Sequence, residues 1–388
     1  MFDVLQWAGE LWKDDNFRKA MKIFLAVKII LILVAAGAQA IPQEYTNRQH
    51  RTDNALVNAW AQYDAAAYVD IAMHGYNQAF AEGRGNYGWF PLYPLLILLF
   101  SFMGFYEAGF VISNVLSMAA AALLYALVKE EFGGEVGHRT VLLMALFPTA
   151  YFFNAAYTES LFLLESVAFF WLMRKDRYPE AGLVGFLAAL TRTQGLLLFL
   201  PGAIMYYVQR VMKGGKPGRD ALYLLLIPAG MAIFMAYQFL ATGNAFAQFQ
   251  THLEFQRHLS LPMDAVMNAV GGLAAALAAS DFVGSFYHSF NLFILAFFAG
   301  LLWLSYKKLK PEYTIYFAVS LILPLLSARL EAISRFYLVI FPAFIMLSLV
   351  SKGKRLPLAA LYAVFVVLMI LFTIRHANED IFLSAILR

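Results

Sequence analysis

Apolar runs follow one another along this 388-residue chain, and the polar stretches between them gather lysine and arginine. A run of about 17 to 25 apolar residues is the length that crosses a bilayer as a helix. We read eleven such spans, at 22-41, 107-128, 140-154, 157-173, 181-193, 195-209, 221-242, 286-306, 312-328, 333-350 and 356-374. The basic residues fall in six clusters: Lys13 to Lys22, Lys129 to Arg139, Arg174 to Arg177, Arg210 to Arg219, Lys307 to Lys310 and Lys352 to Arg355. These clusters contain every lysine of the chain except Lys28. Basic loops stay on the cytoplasmic side, so the pattern predicts an N-terminus inside, a C-terminus outside, and two long outer loops at 42-106 and 243-285.

The apolar run Trp89 to Phe105 is left out of the count, because a crossing there would put every later basic cluster outside. It is expected to dip into the outer leaflet and return, and Pro91 and Pro94 suit a helix that breaks there. Residues 1-21 are expected to form one interfacial amphipathic helix, with Phe2, Leu5, Trp7, Leu11 and Phe17 apolar and Lys13, Arg18 and Lys19 polar. The small residues at 36-40 have the look of a signal-peptidase site, but the long basic region ahead of them favours a retained span.

Composition agrees with this pattern. The chain is 61% hydrophobic and 14% charged with a mean hydropathy of +0.64, too apolar for a soluble surface. The expected fold is an all-α polytopic membrane protein, one integral domain over 1-388. The net charge of +4 calls for anionic lipid headgroups beside the basic clusters, with no nucleic acid as partner. There is no cysteine, which excludes disulfides and thiolate metal sites.

Transport proteins tend to carry ionisable groups within their spans. Here these groups fall mostly on outer loops and outer span ends, as expected of an enzyme at the membrane surface. Within the first loop, Trp60, Tyr63, Ala67 and Ile71 recur at helical spacing and make an apolar stripe over 58-76. Asp64 borders that stripe and Tyr68 lies one turn on. Asp70 points about 120° away from Asp64 on a continuous helix, so the two are not expected to work as a pair.

Tyr63-Asp64-Ala65, Tyr68, Ile71-Ala72 and Gly75-Tyr76 resemble a Trp-Asp-Ala, Tyr, Ile-Ala, Gly-Tyr pattern in the first lumenal loop of the GPI-anchor mannosyltransferase II (PIG-V) family. Four further blocks follow in the family's order: Phe90 to Leu96, Phe147-Pro148-Thr149, Ala156 to Phe162, and Ala189 to Gly195. The C-terminal half is similar only loosely, through Ser334-Arg335-Phe336 and Pro342. Tyr63 stands where the family has Trp, and the large lumenal insertions of eukaryotic members are missing, so the chain looks like a compact prokaryotic homologue in a plasma membrane.

The resemblance implies the GT-C glycosyltransferase architecture, with Asp64 as the catalytic carboxylate and a polyprenyl- or dolichyl-phosphate sugar as donor. The acceptor would be a glycolipid or glycan hydroxyl. The matched blocks put Tyr63, Tyr68, Tyr93, Tyr157, Glu159, Arg192 and Gln194 among the substrate-binding residues, with Arg335 added by the looser match. A phosphate is already a good leaving group, so the chemistry needs one base and cations for the phosphate. Direct attack opposite the phosphate would invert the anomeric centre. Arg192 and Arg335 can supply the bidentate fork that phosphate favours, with Arg329 and Arg257 in reserve. Glu165, near mid-span, needs a partner inside the bundle. His252, Arg257 and His258 lack the spacing of a metal site; no cofactor is assigned, and a divalent metal is left open. A lipid-linked-sugar transporter or flippase is the alternative from a different functional class.

Overall fold

The computed structural model describes residues 4–41, 46–77, 85–254, 258–353 and 355–379, which are helical or irregular, with no strand among them. α1 (Val4–Lys13) stops where Asp14 turns extended and its carboxylate accepts from Asn16 N at 2.9 Å. This N-cap starts α2 (Asp15–Ala38), so the single amphipathic helix expected over 1-21 is two helices, and the first long helix begins at Asp15. The side chains of Phe2 and Leu5 lie outside the described residues.

The first loop carries α3 (Ala55–Asn58), α4 (Ala65–His74) and α5 (Leu92–Leu99). At 8 residues, about 12 Å long, α5 is far too short to cross a bilayer. α6 (Phe105–Phe132) and α7 (Gly134–Ala145) follow. The expected span 140-154 is not one helix: α7 ends ahead of Pro148 and a single 3₁₀ turn covers Ala150–Phe153. Next come α8 (Glu159–Arg174), α9 (Tyr178–Thr191), α10 (Thr193–Leu196), α11 (Phe199–Tyr206) and α12 (Leu226–Thr242). The second long loop is largely helical, with α13 (Ala247–Glu254) and the apolar α14 (Pro262–Ala278). α15 (Phe282–Lys308), α16 (Pro311–Ile322), α17 (Ile333–Leu338), α18 (Phe341–Val350) and α19 (Arg355–Ala377) complete the chain.

Among the described residues five helices are long and apolar enough to cross a membrane: α2, α6, the segment 219–242 that ends in α12, α15 and α19. Their outward faces carry bare Leu25, Ile29, Leu33, Val115, Leu240, Phe293 and Val367, the surface that hydrocarbon requires. Of the shorter helices, α7, α8, α17 and α18 are mostly buried inside this shell, whereas α5, α13 and α14 expose apolar side chains such as Leu99, Phe249 and Met263. α6 lies against α2, α7 and α8, and α9 against α8 and α12. Aromatic side chains fill the interior, among them Tyr125, Phe147, Phe170 and Tyr316, all fully buried.

The six basic clusters meet at one end of the bundle. Lys129 pairs with Asp14 at 2.6 Å, Arg174 and Lys310 both pair with Glu131, at 2.6 and 2.8 Å, and Arg139 reaches Ser348 O at 3.2 Å. Arg210 pairs with Asp220, whose partner Tyr206 packs on Tyr178 beside Arg177. Burial works against ionisation of Asp14, but hydrogen bonds from Lys129, Tyr125 and Asn16 prevail and hold its carboxyl below the usual range. α8 runs away from this end for 16 residues, about 24 Å. Its first residue, Glu159, therefore stands near the opposite end.

Candidate functional site

Three backbone contacts fix the chain where it enters α4. Tyr63 sits at φ +53, a left-handed conformation that costs a non-glycine residue about 1–3 kcal/mol. The residues on either side hold it there. Tyr157 Oη donates to Gln62 O at 3.0 Å and accepts from Asp64 N at 3.1 Å, while Tyr63 N donates to Glu379 Oε1 at 2.9 Å. The turn stops the helix expected over 58-76: α4 starts at Ala65, and Asp64 is its N-cap residue with no side-chain capping bond. Freed from the cap, the Asp64 carboxylate turns inward to an arginine.

That arginine is Arg335. Its Nη1 donates to Asp64 Oδ2 and its Nε to Glu159 Oε1, both at 2.5 Å. Arg192 Nη1 donates to the same Glu159 oxygen at 2.7 Å. Two carboxylates and two guanidiniums thus form one cluster, in the order Asp64, Arg335, Glu159, Arg192. Glu159 has no exposed surface, and as the first residue of α8 it also faces the positive end of the helix dipole. The Asp64 side chain is 33% exposed and forms the open edge of the cluster. Aromatic rings hold the cations: Arg335 lies 4.4 Å from the Tyr157 centroid and 5.0 Å from Phe152, and Arg192 lies 5.2 Å from Phe336.

The backbone brings the arginines to this point by two breaks. Between α9 and α10, Arg192 is extended at φ −158, and the close return of the chain demands Gly195, whose Cβ would fall 2.0 Å from Ala188 O. Ahead of α17, Ala328 and Ala332 both take left-handed φ of about +60, and Thr149 Oγ1 donates to Ser334 O at 2.9 Å. The five sequence blocks therefore converge. Tyr68 Oη lies 3.3 Å from Thr158 Oγ1, its ring packs on Tyr93 and Tyr157, and Arg192 completes Glu159.

Not every candidate borders the charged cluster. Tyr93 is fully buried and its hydroxyl is committed to Gly109 O and Ser113 Oγ, at 2.9 and 2.7 Å, a packing role beneath Tyr68. Gln194 is buried with neither amide atom bonded to protein, and Glu159 Oε2 and Ser334 Oγ are likewise without a protein partner. Arg329 pairs with Glu331 at 2.9 Å. Arg257 and the side chain of His252 lie outside the described residues, and His258 is exposed. Among the described residues no three His, Asp or Glu side chains converge as metal ligands. Asp70 is no free solvated charge: it binds His74 at 2.9 Å, Asn77 at 3.0 Å and Asn86 at 2.8 Å, and so knits the loop after α4.

No sequence-family profile matches this chain. It is similar to GPI mannosyltransferase 2 of Yarrowia lipolytica, 27% identical over 189 residues that cover 48% of this chain and 51% of that protein. The chain thus spans about half the length of the curated relative it matches. A distant relative is therefore a mannosyltransferase, in keeping with the helical, membrane-like architecture.

Three residues around the site escaped the sequence reading. Lys28, buried in α2, donates to Ser117 Oγ, Phe153 O and Asn154 Oδ1 at 2.6–2.9 Å and so anchors the segment leading to Tyr157 and Glu159. As the one lysine outside the basic clusters, it was the visible signal. His376 lies among the rings of Trp60, Tyr63, Tyr151, Phe152 and Tyr157. Glu379 holds Tyr63 N and pairs with Arg51 at 3.3 Å. Both follow the last apolar run, where a break from hydrophobic to polar residues marks the end of a span. Glu165 meets Thr191, whose Oγ1 donates to Oε1 at 2.9 Å, while the buried Oε2 of Glu165 has no partner among the described residues.

Proposed function

We propose that this chain is an inverting GT-C glycosyltransferase, mannosyltransferase-like, that moves a sugar from a polyprenyl- or dolichyl-phosphate donor to an acceptor hydroxyl of a glycolipid or glycan. The site lies on the outer face of a membrane, with the basic end of the bundle inside and about eleven crossings, several made by the short inner helices. Asp64 is the general base. Arg335 and Arg192 bind the donor phosphate, and Glu159 orients both; Tyr63, Tyr68 and Gln194 surround the sugar, and Tyr157 positions the base.

The observation that carries this reading is the partly exposed Asp64 carboxylate beside two guanidiniums at the edge of a buried cluster. Transfer from a lipid phosphate needs one proton acceptor and fixed positive charge where the phosphate develops a second negative charge. A hydrolase's pair of carboxylates flanks the glycosidic bond and needs one of them protonated as an acid. Here an arginine joins the two. The relative's activity as a mannosyltransferase supports the same class.

The transporter reading draws on Lys28 and Glu165, which lie inside the bundle. Each is committed to local hydrogen bonds that tie neighbouring helices together, so they serve the fold under the enzyme reading. Radiolabelled sugar transfer from polyprenyl phosphate mannose in proteoliposomes tests the proposal. Asp64→Asn is nearly isosteric and cannot take the proton, so turnover is expected to fall by roughly 10² to 10⁴. Near wild-type turnover in that variant removes Asp64 as base, and flipping of the donor without transfer selects the transporter.

A further inference from the structure

In the arrangement described, the base is held by an arginine through Oδ2. A carboxylate that accepts a charge-assisted hydrogen bond from a guanidinium is stabilised as the anion and is a poor proton acceptor, and Asp64 is held in this way by Arg335. The formal charges of these four groups, Asp64, Glu159, Arg192 and Arg335, sum to zero before any anion arrives. Of the two carboxylates on Arg335, Glu159 is fully enclosed and shared with Arg192, whereas Asp64 is one-third exposed. An anion entering from the open edge therefore competes with Asp64.

We propose that the donor phosphate takes the place of Asp64 on Nη1 of Arg335, so that seating the donor is the event that releases the base from its arginine. This rests on the reading of the chain as a lipid-phosphate-dependent transferase. The exchange needs no movement of the guanidinium, because Nε stays on Glu159 and the Tyr157 and Phe152 rings keep the plane in place. In the step that follows, the acceptor oxygen bonds to the anomeric carbon and the anomeric carbon–phosphate oxygen bond breaks, leaving its electron pair on the phosphate. The acceptor proton passes to Asp64. The phosphate gains the negative charge that Asp64 loses, and both stay beside Arg335. When Asp64 gives its proton to water and pairs again with Arg335, it displaces the spent lipid phosphate. The enzyme is thereby idle without a donor, which protects it from delivering an activated acceptor to nothing.

The test measures binding apart from turnover. Citronellyl phosphate mannose is titrated calorimetrically into detergent-solubilised full-length protein, as wild type, Asp64→Asn, Asp64→Ser, Arg335→Gln and the Asp64→Asn/Arg335→Gln pair. If the donor must displace Asp64, both Asp64 variants bind the probe about tenfold more tightly than wild type, roughly one charge-assisted hydrogen bond, while turnover is lost. The gain disappears in the double variant. Equal or weaker binding by both folded Asp64 variants overturns the exchange, and with an active wild type it leaves the transferase reading standing. A wild type that neither binds the probe nor transfers its sugar overturns both.

Discussion

Arg335 and Asp64 stand 271 positions apart in the chain and 2.5 Å apart in the fold, with Glu159 on the other side of the same guanidinium. The guanidinium fork points one donor at each carboxylate in a fixed direction. Arg335→Lys keeps the charge on a single ammonium, so it is expected to hold Glu159 and let Asp64 go. Turnover should fall at least tenfold with the circular dichroism spectrum unchanged; wild-type turnover would show that the fork is dispensable.

Glu159 keeps two buried cations together. Glu159→Gln leaves Arg192 and Arg335 facing each other without their shared anion, and breaking a buried ion pair in this way costs about 3–5 kcal/mol. Thermal unfolding in detergent should show a clearly lowered midpoint, and an unchanged one would mean that the cluster contributes little to the fold.

Tyr157 positions the base rather than exchanging protons. Tyr157→Phe keeps the ring under Arg335 but removes the hydroxyl that links Gln62 O and Asp64 N. Leaving those groups unmatched costs about 1–3 kcal/mol, so the Tyr63 turn should relax. The expected signature is a lower kcat at nearly constant donor KM; a change in KM alone would assign the ring to donor binding.

Gly195 is the hinge that delivers Arg192. Its Cβ would lie 2.0 Å from Ala188 O and 2.4 Å from Ala189 N, backbone atoms that cannot step aside. Gly195→Ala should force α10 off α9 and lower both yield and donor affinity. A variant with normal donor binding would show that Arg192 is placed by Glu159 alone.

The two ends of the bundle should face opposite compartments. The Asp53 side chain is fully exposed in the first loop, and Lys216 is exposed in the basic end. Asp53→Cys and Lys216→Cys, in a chain with no cysteine of its own, are expected to react with a membrane-impermeant maleimide from opposite sides. Labelling of both from one side would refute the orientation.

Helix 58-76 shows where linear reading stops. The spacing of Trp60, Tyr63, Ala67 and Ile71 is helical, yet the backbone breaks at Tyr63 because Tyr157 and Glu379, from distant segments, bind the groups on either side of it. The same spacing placed Asp70 apart from Asp64. What Asp70 does, closing the loop through His74, Asn77 and Asn86, depends on a chain reversal that periodicity does not record. Among the spans, α2, α6 and α15 were legible because long runs dominated by apolar side chains outweigh isolated polar positions such as Lys28. The runs 140-154 and 195-209 were apolar too, but a 3₁₀ turn in the first and a π turn at the end of the second replace straight helix, which hydrophobicity alone does not record.

By itself the amino-acid sequence determined the solvent of this protein and the ends of its bundle. Hydrophobicity and lysine placement are one-dimensional properties, and transfer free energies act on them residue by residue. It also marked Asp64, Glu159, Arg192 and Arg335 as chemically capable. Only the tertiary structure decided that these four share one cluster, that Glu159 rather than Asp64 is its enclosed centre, and that Asp64 is paired at rest. Charged groups in a low-dielectric interior must find partners, and which partner each one finds is set by how helices pack across 176 and 271 positions of chain.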